Sequence, residues 1–188
     1  MVVEFTLQPP AGVEALPLLI LAATGAALIV LAFATGRRAK SVRRTFVALL
    51  IIGVVTIGVG VGLAYSMGAR SSITVASGYV YVNSPSIWGA GNVNITSNQI
   101  QTAYVETIGS GLLTLSKQHG TNTGDFDVGV FTLGNGATAY VVTDNSTCLV
   151  LQLYSGSYVL LGTNDTFALA TAFSQSVHPV QDFLVPGG

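Results

Sequence analysis

Apolar positions fall into two regimes along the chain. Near the N-terminus they are almost continuous: Val13–Thr35 holds Glu14 near its start and no later charge, and Thr45–Tyr65 holds none at all. At 1.5 Å per residue each run reaches the ~30 Å of a hydrocarbon core, so the pattern predicts two transmembrane helices. A cleaved signal peptide fits the first run badly, because Glu4 and Glu14 precede or open it with no Lys or Arg beside them. From Ala69 onward the pattern changes to short β-branched and aromatic runs separated by turn residues. It predicts strands at Ser72–Ala76, Tyr79–Asn83, Val93–Thr96, Gln101–Thr107, Asp127–Leu133, Thr138–Thr143, Cys148–Tyr154 and Tyr158–Leu161. Ser77-Gly78, Gly134-Asn135-Gly136, Asp144-Asn145-Ser146 and Ser155-Gly156 supply the turns. One helix follows, capped by Asn164 or Asp165 and ended before Pro179.

The predicted architecture is an α+β membrane protein. A transmembrane hairpin occupies residues 1–68, with spans at 13–35 and 45–65 and a loop at 36–44. A mostly antiparallel β domain, an open or partly closed barrel plugged by the C-terminal helix, occupies 69–178, and a tail runs over 179–188. Charge orients it. The loop holds Arg37, Arg38, Lys40, Arg43 and Arg44, five of the seven basic residues, and short basic loops stay cytoplasmic. Read so, the loop is a topology determinant rather than a patch for anionic lipid or nucleic acid, and both termini are extracytoplasmic in a two-span, multi-pass cell-membrane protein. Ala22, Ala23, Gly25, Ala26 and Ala27 in the first run and Gly53, Gly58, Gly60 and Gly62 in the second keep the helices slim. Gly58-x-x-x-Gly62 puts two glycines on one face, where the spans are expected to pack on each other. No ionisable residue lies in the middle of either run, which leaves a proton or ion path nothing to be built from.

Composition narrows the function classes. Half of the 188 residues are hydrophobic and only 8% are charged, against about a quarter in an ordinary soluble domain. A net charge of −1 excludes nucleic-acid binding driven by bulk basicity. The lone cysteine, Cys148, excludes an internal disulfide and any cysteine-cluster metal site.

The stretch Lys117-Gln118-His119-Gly120-Thr121-Asn122-Thr123-Gly124, followed by Gly129-Val130-Phe131-Thr132-Leu133-Gly134-Asn135-Gly136-Ala137-Thr138-Ala139-Tyr140-Val141, resembles the middle of prokaryotic pleckstrin-homology-like domains of membrane proteins. Cys148–Leu153, Tyr158–Gly162 and Asn164–Ser176 stand where those domains carry a strand, a strand and the closing helix. The resemblance covers about 70–188 and implies a seven-stranded bent sheet with a helix across one opening, used as a binding or assembly scaffold without enzymatic activity. It departs at the first hairpin, Ala76-Ser77-Gly78-Tyr79, which has none of the basic residues that grip phosphates, so phosphoinositide binding is not expected.

A search for chemistry returns no catalytic, cofactor-binding or metal-binding residues. His119 and His178 lie far apart with no second ligand at metal spacing, and His178 suits the end of a helix. A copper site lacks its short Cys–His spacing, and Met1 and Met67 fall outside the β domain. Asp125-x-Asp127 lacks the further oxygen ligands of a calcium loop and reads as a solvated turn. There is no Gly-x-Ser-x-Gly elbow and no phosphate loop, and Cys148 reads as a small buried apolar residue. An extracytoplasmic enzyme would need a polar pocket around His119 and Asp125 or Asp127.

Three sequons, at Asn94, Asn145 and Asn164, lie in the segment placed outside and mark glycosylation candidates, Asn145 foremost because it sits in a turn. Arg70 and Lys117 stand against Glu106, Asp125, Asp127, Asp144, Asp165 and Asp182, two cations against six anions over residues 69–188. Such a sparsely charged surface has little to lose when carboxylates protonate and suits an acidic exterior such as an archaeal cell surface. The expected function is a non-catalytic accessory or assembly subunit of a larger membrane complex, a respiratory one among the plausible hosts. The alternative is a cell-envelope or virion surface protein. Expected partners are other membrane subunits or envelope proteins and the lipid bilayer, with no nucleic acid. Ile87 and Trp88, in the Ser84–Val93 loop, are the expected partner contacts together with the tail.

Overall fold

The computed structural model describes residues 2–7, 15–36, 43–67, 70–84, 91–109 and 113–181. The chain forms two compact units, Ala11–Ala69 and Met1–Pro10 with Arg70–Gly188. The first ten residues thus join the β unit, whereas the sequence grouped them with the hairpin.

The first unit is a helical hairpin of α1 (Ala15–Gly36) and α2 (Arg43–Met67). Both consist almost wholly of aliphatic and small residues, and two hydroxyls are satisfied locally: Thr24 donates to the Ile20 carbonyl and Thr56 to the Ile52 carbonyl, each at 2.8 Å. The helices come into close contact at buried glycines. A Cβ on Gly25 would lie 2.5 Å from Ile57 Cγ1 and 2.8 Å from the Gly53 carbonyl, and one on Gly53 would lie 2.8 Å from Ile29 Cγ1. Gly60 receives Leu21 in the same way. Phe33 and Phe46 meet edge to face, ring centroids 5.5 Å apart. The expected packing pair, Gly58 and Gly62, is therefore corrected: both are exposed, and a Cβ on either would meet nothing within 4 Å.

Among the described residues, no helix is long and apolar enough to cross a membrane. The two transmembrane spans, the multi-pass cell-membrane localisation and the extracytoplasmic assignment of both termini are corrected accordingly. Most of the basic loop, residues 37–42, lies outside the described residues.

The second unit contains two sheets and is not a closed barrel, which corrects the other half of the expected fold class. The smaller sheet has the order β1-β2-β3-β4, formed by β1 (Val3–Leu7), β2 (Ser71–Ala76), β3 (Tyr79–Asn83) and β4 (Val93–Thr96), all antiparallel. The larger has the order β5-β9-β10-β8-β7-β6, formed by β5 (Ile100–Thr107), β6 (Ser116–Thr123), β7 (Phe126–Thr132), β8 (Thr138–Thr143), β9 (Thr147–Leu153) and β10 (Tyr158–Leu161). The larger sheet is not a simple meander. The β9–β10 turn is tight, with Gly156 at φ +85°, so β10 returns antiparallel to β9 and enters the gap beside β8, to which it is parallel. The insertion makes the larger sheet mixed, with β8 and β10 parallel and its other pairs antiparallel.

One face of the larger sheet carries a core of Phe131, Leu133, Ala139, Val141, Cys148, Val150, Tyr158 and Leu160, closed over by Leu113. The final helix α3 (Thr166–Ser176) begins where Asp165 accepts a hydrogen bond from the Ala168 amide at 2.9 Å, and it buries Leu169, Ala170, Ala172 and Phe173. After it the chain turns back to β5, and the Gln181 amide donates to the Ala103 carbonyl at 2.7 Å.

The glycine contacts make a testable contrast. Gly25→Val or Gly53→Val drives branched carbons into the facing helix and costs about 1–3 kcal/mol of hairpin stability. Gly58→Ala meets nothing and gains up to about 1 kcal/mol of helix propensity. Denaturant titration of the full chain, followed by helical circular dichroism, separates the two classes.

Candidate functional site

The β unit gathers its buried polar groups at one end of the larger sheet. The cause is the connection from β8 to β9. Residues 144–146 must step past the end of β10, which lies between the strands they join. Beneath this step Gly162 leaves β10, its amide donating to the Val142 carbonyl at 3.0 Å. A Cβ on Gly162 would overlap Thr143 Oγ1, so only glycine fits there. The step is tied by side chains: the Asn145 amide donates to Thr143 Oγ1 at 3.0 Å, Asn145 Nδ2 to the Thr163 carbonyl at 3.2 Å, and Thr166 Oγ1 to the Thr147 carbonyl at 2.8 Å. Asp144-Asn145-Ser146 is a crossover rather than the expected hairpin turn.

Register places a polar row on this end. Asn122 pairs with Asp127, Asp127 with Thr143, and Cys148 with Glu106, with Gly162 between Thr143 and the start of β9. Asp127 shares its face with Gly129 and Phe131, whose partners Val141 and Ala139 belong to the core, so its carboxylate sits at the margin of that core. It is only 5% exposed, and Oδ1 has no hydrogen-bond partner. Burial pushes its pKa above the usual carboxylate value; a hydrogen bond from the Asn122 side chain opposes this, and the nearby charge of Asp125 adds to it. The expectation of a solvated Asp125-x-Asp127 turn therefore holds only for Asp125, which is exposed.

The remaining candidates stay apart. His119 pairs with Val130, three positions along β7 from Asp127, and so faces the opposite side of the sheet. His178, half-buried past the end of α3, places Nδ1 2.9 Å from the Pro179 carbonyl. No three His, Cys, Asp or Glu side chains converge into a metal-holding group among the described residues. Cys148 is fully buried, its Sγ 3.5 Å from the Glu106 carbonyl, and burial followed by the Glu106 charge pushes its thiol up to about 12. It is an unreactive core residue. Burial and then Glu106 likewise push Tyr104 up to about 12, and burial raises Tyr140, whose hydroxyl donates to the Gly91 carbonyl at 2.6 Å.

Of the glycosylation candidates, Asn94 and Asn164 are exposed, on β4 and just ahead of α3. Asn145 instead spends its side-chain amide inside the crossover, its Oδ1 also accepting from the Thr147 amide at 3.2 Å. Ile87 and Trp88 lie outside the described residues, as does the tail beyond Gln181. The most extensive uncovered surface was not among the sequence's site residues. Of fifteen exposed large hydrophobic side chains among the described residues, twelve belong to the helical hairpin: Leu19, Ile20, Val30, Leu31 and Phe33 on α1, and Val47, Ile51, Ile52, Val54, Val55, Val59 and Val61 on α2.

The buried Cys148 thiol and the half-buried Tyr104 phenol set an alkaline limit. Below their ordinary values of 9.0 and 10.0 both are protonated, folded or unfolded; above them the unfolded chain ionises while the folded groups resist until about 12. The contribution of these two groups is thus fully present below pH 9 and is lost as pH rises toward 12. Cys148→Ala removes the part of that loss which begins near pH 9, read by denaturant midpoints across pH 8–11. In the native protein Cys148 alkylates on the order of a hundredfold more slowly than in denaturant.

No family model matches the sequence, and comparisons with curated proteins and with solved structures find no match.

Proposed function

We propose that the protein is a non-catalytic accessory or assembly subunit of a larger complex, held there through its helical hairpin, with the β unit as the part it presents to other components. The observation that carries this reading is the apolar exterior of α1 and α2. Adjacent positions such as Ile51 and Ile52, and Val54 and Val55, are exposed together, so the uncovered surface is wider than one stripe. A monomer in water rarely leaves a contiguous apolar patch larger than a few hundred Å². Helices apolar around most of their circumference belong inside a larger apolar assembly. Each exposed aliphatic side chain gains roughly 25 cal/mol for every Å² that a partner removes from water. The Gly58 and Gly62 face adds a groove into which a partner's side chains can settle closely.

The test is recovery of the tagged full-length chain after crosslinking in its host, in mild detergent, with mass spectrometry of what accompanies it. A fixed set of subunits in constant ratio is expected. Val55→Glu with Val59→Glu should lower that recovery by about tenfold or more, since each places a charge on the apolar exterior. Recovery of the chain alone, with only lipid or detergent around its helices, overturns the proposal. Recovery as a homo-oligomer also overturns it and favours a surface-lattice protein.

A further inference from the structure

Three Asn-x-Thr triplets stand in the β unit, at Asn94, Asn145 and Asn164, and the fold treats each differently. Transfer of a sugar to such a triplet needs two side chains at once, the asparagine amide that forms the bond and the threonine hydroxyl two residues on. At Asn145 the amide is spent: Nδ2 donates to the Thr163 carbonyl at 3.2 Å, and Oδ1 accepts from the Thr147 amide at 3.2 Å. At Asn164 the hydroxyl is spent. Thr166 is 2% exposed, its Oγ1 lying 2.8 Å from the Thr147 carbonyl and accepting from the Thr163 amide at 3.1 Å. Asn94 differs from both. It is exposed, and Thr96 shares its face of β4, because Ile95 between them turns into the core. The Thr96 hydroxyl bonds to the exposed side chains of Asn98 and Gln99, which water or a binding enzyme can replace.

The surroundings of Asn94 suit the modification. Strand β4 is the outer strand of its sheet, four residues long and paired on one side, to β3. So short an edge opens locally for the loss of one row of backbone bonds and the Ile95 contact. Register sets Tyr81 opposite Asn94, and Tyr79, 40% exposed, opposite Thr96. Cross-strand neighbours stand about 5 Å apart at Cβ, so a sugar ring linked to Asn94 can lay its C–H face on a tyrosine. A bulky polar chain at this place also shields the unpaired edge from pairing with another strand. We propose that Asn94, alone of the three, carries an N-linked glycan, transferred to the folded β unit from a lipid-diphosphate-linked oligosaccharide. Nδ2 of Asn94 forms a bond to the anomeric carbon as the bond from that carbon to the diphosphate oxygen breaks. The lipid diphosphate leaves, and the amide proton passes through the transferase to water. Transfer requires that the β unit meet the transferase, with no span of this chain involved, and it is independent of what the hairpin recruits.

The full chain is purified from its host, and its intact mass and its glycopeptides are read by mass spectrometry. Added glycan mass is expected on the peptide that holds Asn94, and none on those that hold Asn145 or Asn164. Asn94→Gln and Thr96→Ala each lose the added mass. Thr96→Ser keeps it, because the hydroxyl remains, and Asn164→Gln leaves it unchanged. An unmodified Asn94 in the native chain overturns the proposal. Sugar on Asn145 or Asn164 overturns it too, since those groups can be reached only before the fold hides them. The native chain decides both points even where a variant fails to fold. Recovery of partner subunits is a separate measurement, and its failure leaves the glycan on Asn94 in place.

Discussion

The β unit depends on one topological constraint, the insertion of β10 between β8 and β9. Residues 144–146 have to carry the chain across two interstrand spacings, roughly 9.6 Å, while β10 ends beneath them. Four residue steps from Thr143 to Thr147 suffice, but only with the crossing segments in near contact. That contact excludes any side chain at Gly162 and turns Thr143 and Asn145 inward. It also aims the chain so that Thr166 Oγ1 reaches the Thr147 carbonyl and starts α3 at a fixed place on the sheet. The polar row at this end, Asp127 included, follows from the same register.

Much of the local structure was legible because it rests on alternation and turn chemistry. Runs such as Tyr79–Asn83 and Tyr158–Leu161 carry the residues strands favour, and Asp165 is a cap that the sequence shows openly. Three features were not legible, each for a different reason. Strand β6, Ser-Lys-Gln-His-Gly-Thr-Asn-Thr, has no apolar alternation, since as an edge strand it is held by backbone pairing to β7 and Gly129 lets the two approach closely. Strand β1 does alternate, Val3, Phe5 and Leu7 against Glu4 and Thr6, but it stands directly before a long apolar run and reads as a lead-in to it. The parallel β8–β10 pairing leaves no mark at all in periodicity, because a strand's period of two is blind to its neighbour's direction. The site suffered similarly: an Asp-x-Asp beside a glycine looks solvated until the register places one of its carboxylates on the core face.

The hairpin shows why composition and geometry must be read together. Glycines on helices predict close packing, yet which of them pack is a question of phase around the helix axis. Gly53 and Gly60 are seven residues apart on α2, two turns, and face α1 together; Gly58 and Gly62 lie on a different arc. The strand β1 adds a topological point. Because Leu7 pairs with Ser71, the whole helical segment is inserted between two adjacent strands of one sheet. Loss of hairpin packing therefore need not unravel the sheet, whose own contacts hold both ends of the insertion together.

Scarcity of charge links the two sites. With 8% charged residues the chain covers its hairpin with aliphatic side chains, a surface that water solvates at a cost. The same scarcity leaves Asp127 without a basic neighbour, since five of seven basic residues belong to the 36–44 loop and the other two stay exposed on the β unit. A sequence richer in Lys and Arg would neutralise a buried carboxylate internally and shield its helices with long amphipathic side chains. This one does neither. The same scarcity therefore shows twice, as an aliphatic exterior on the helices and as a carboxylate whose pKa burial raises at the margin of the core.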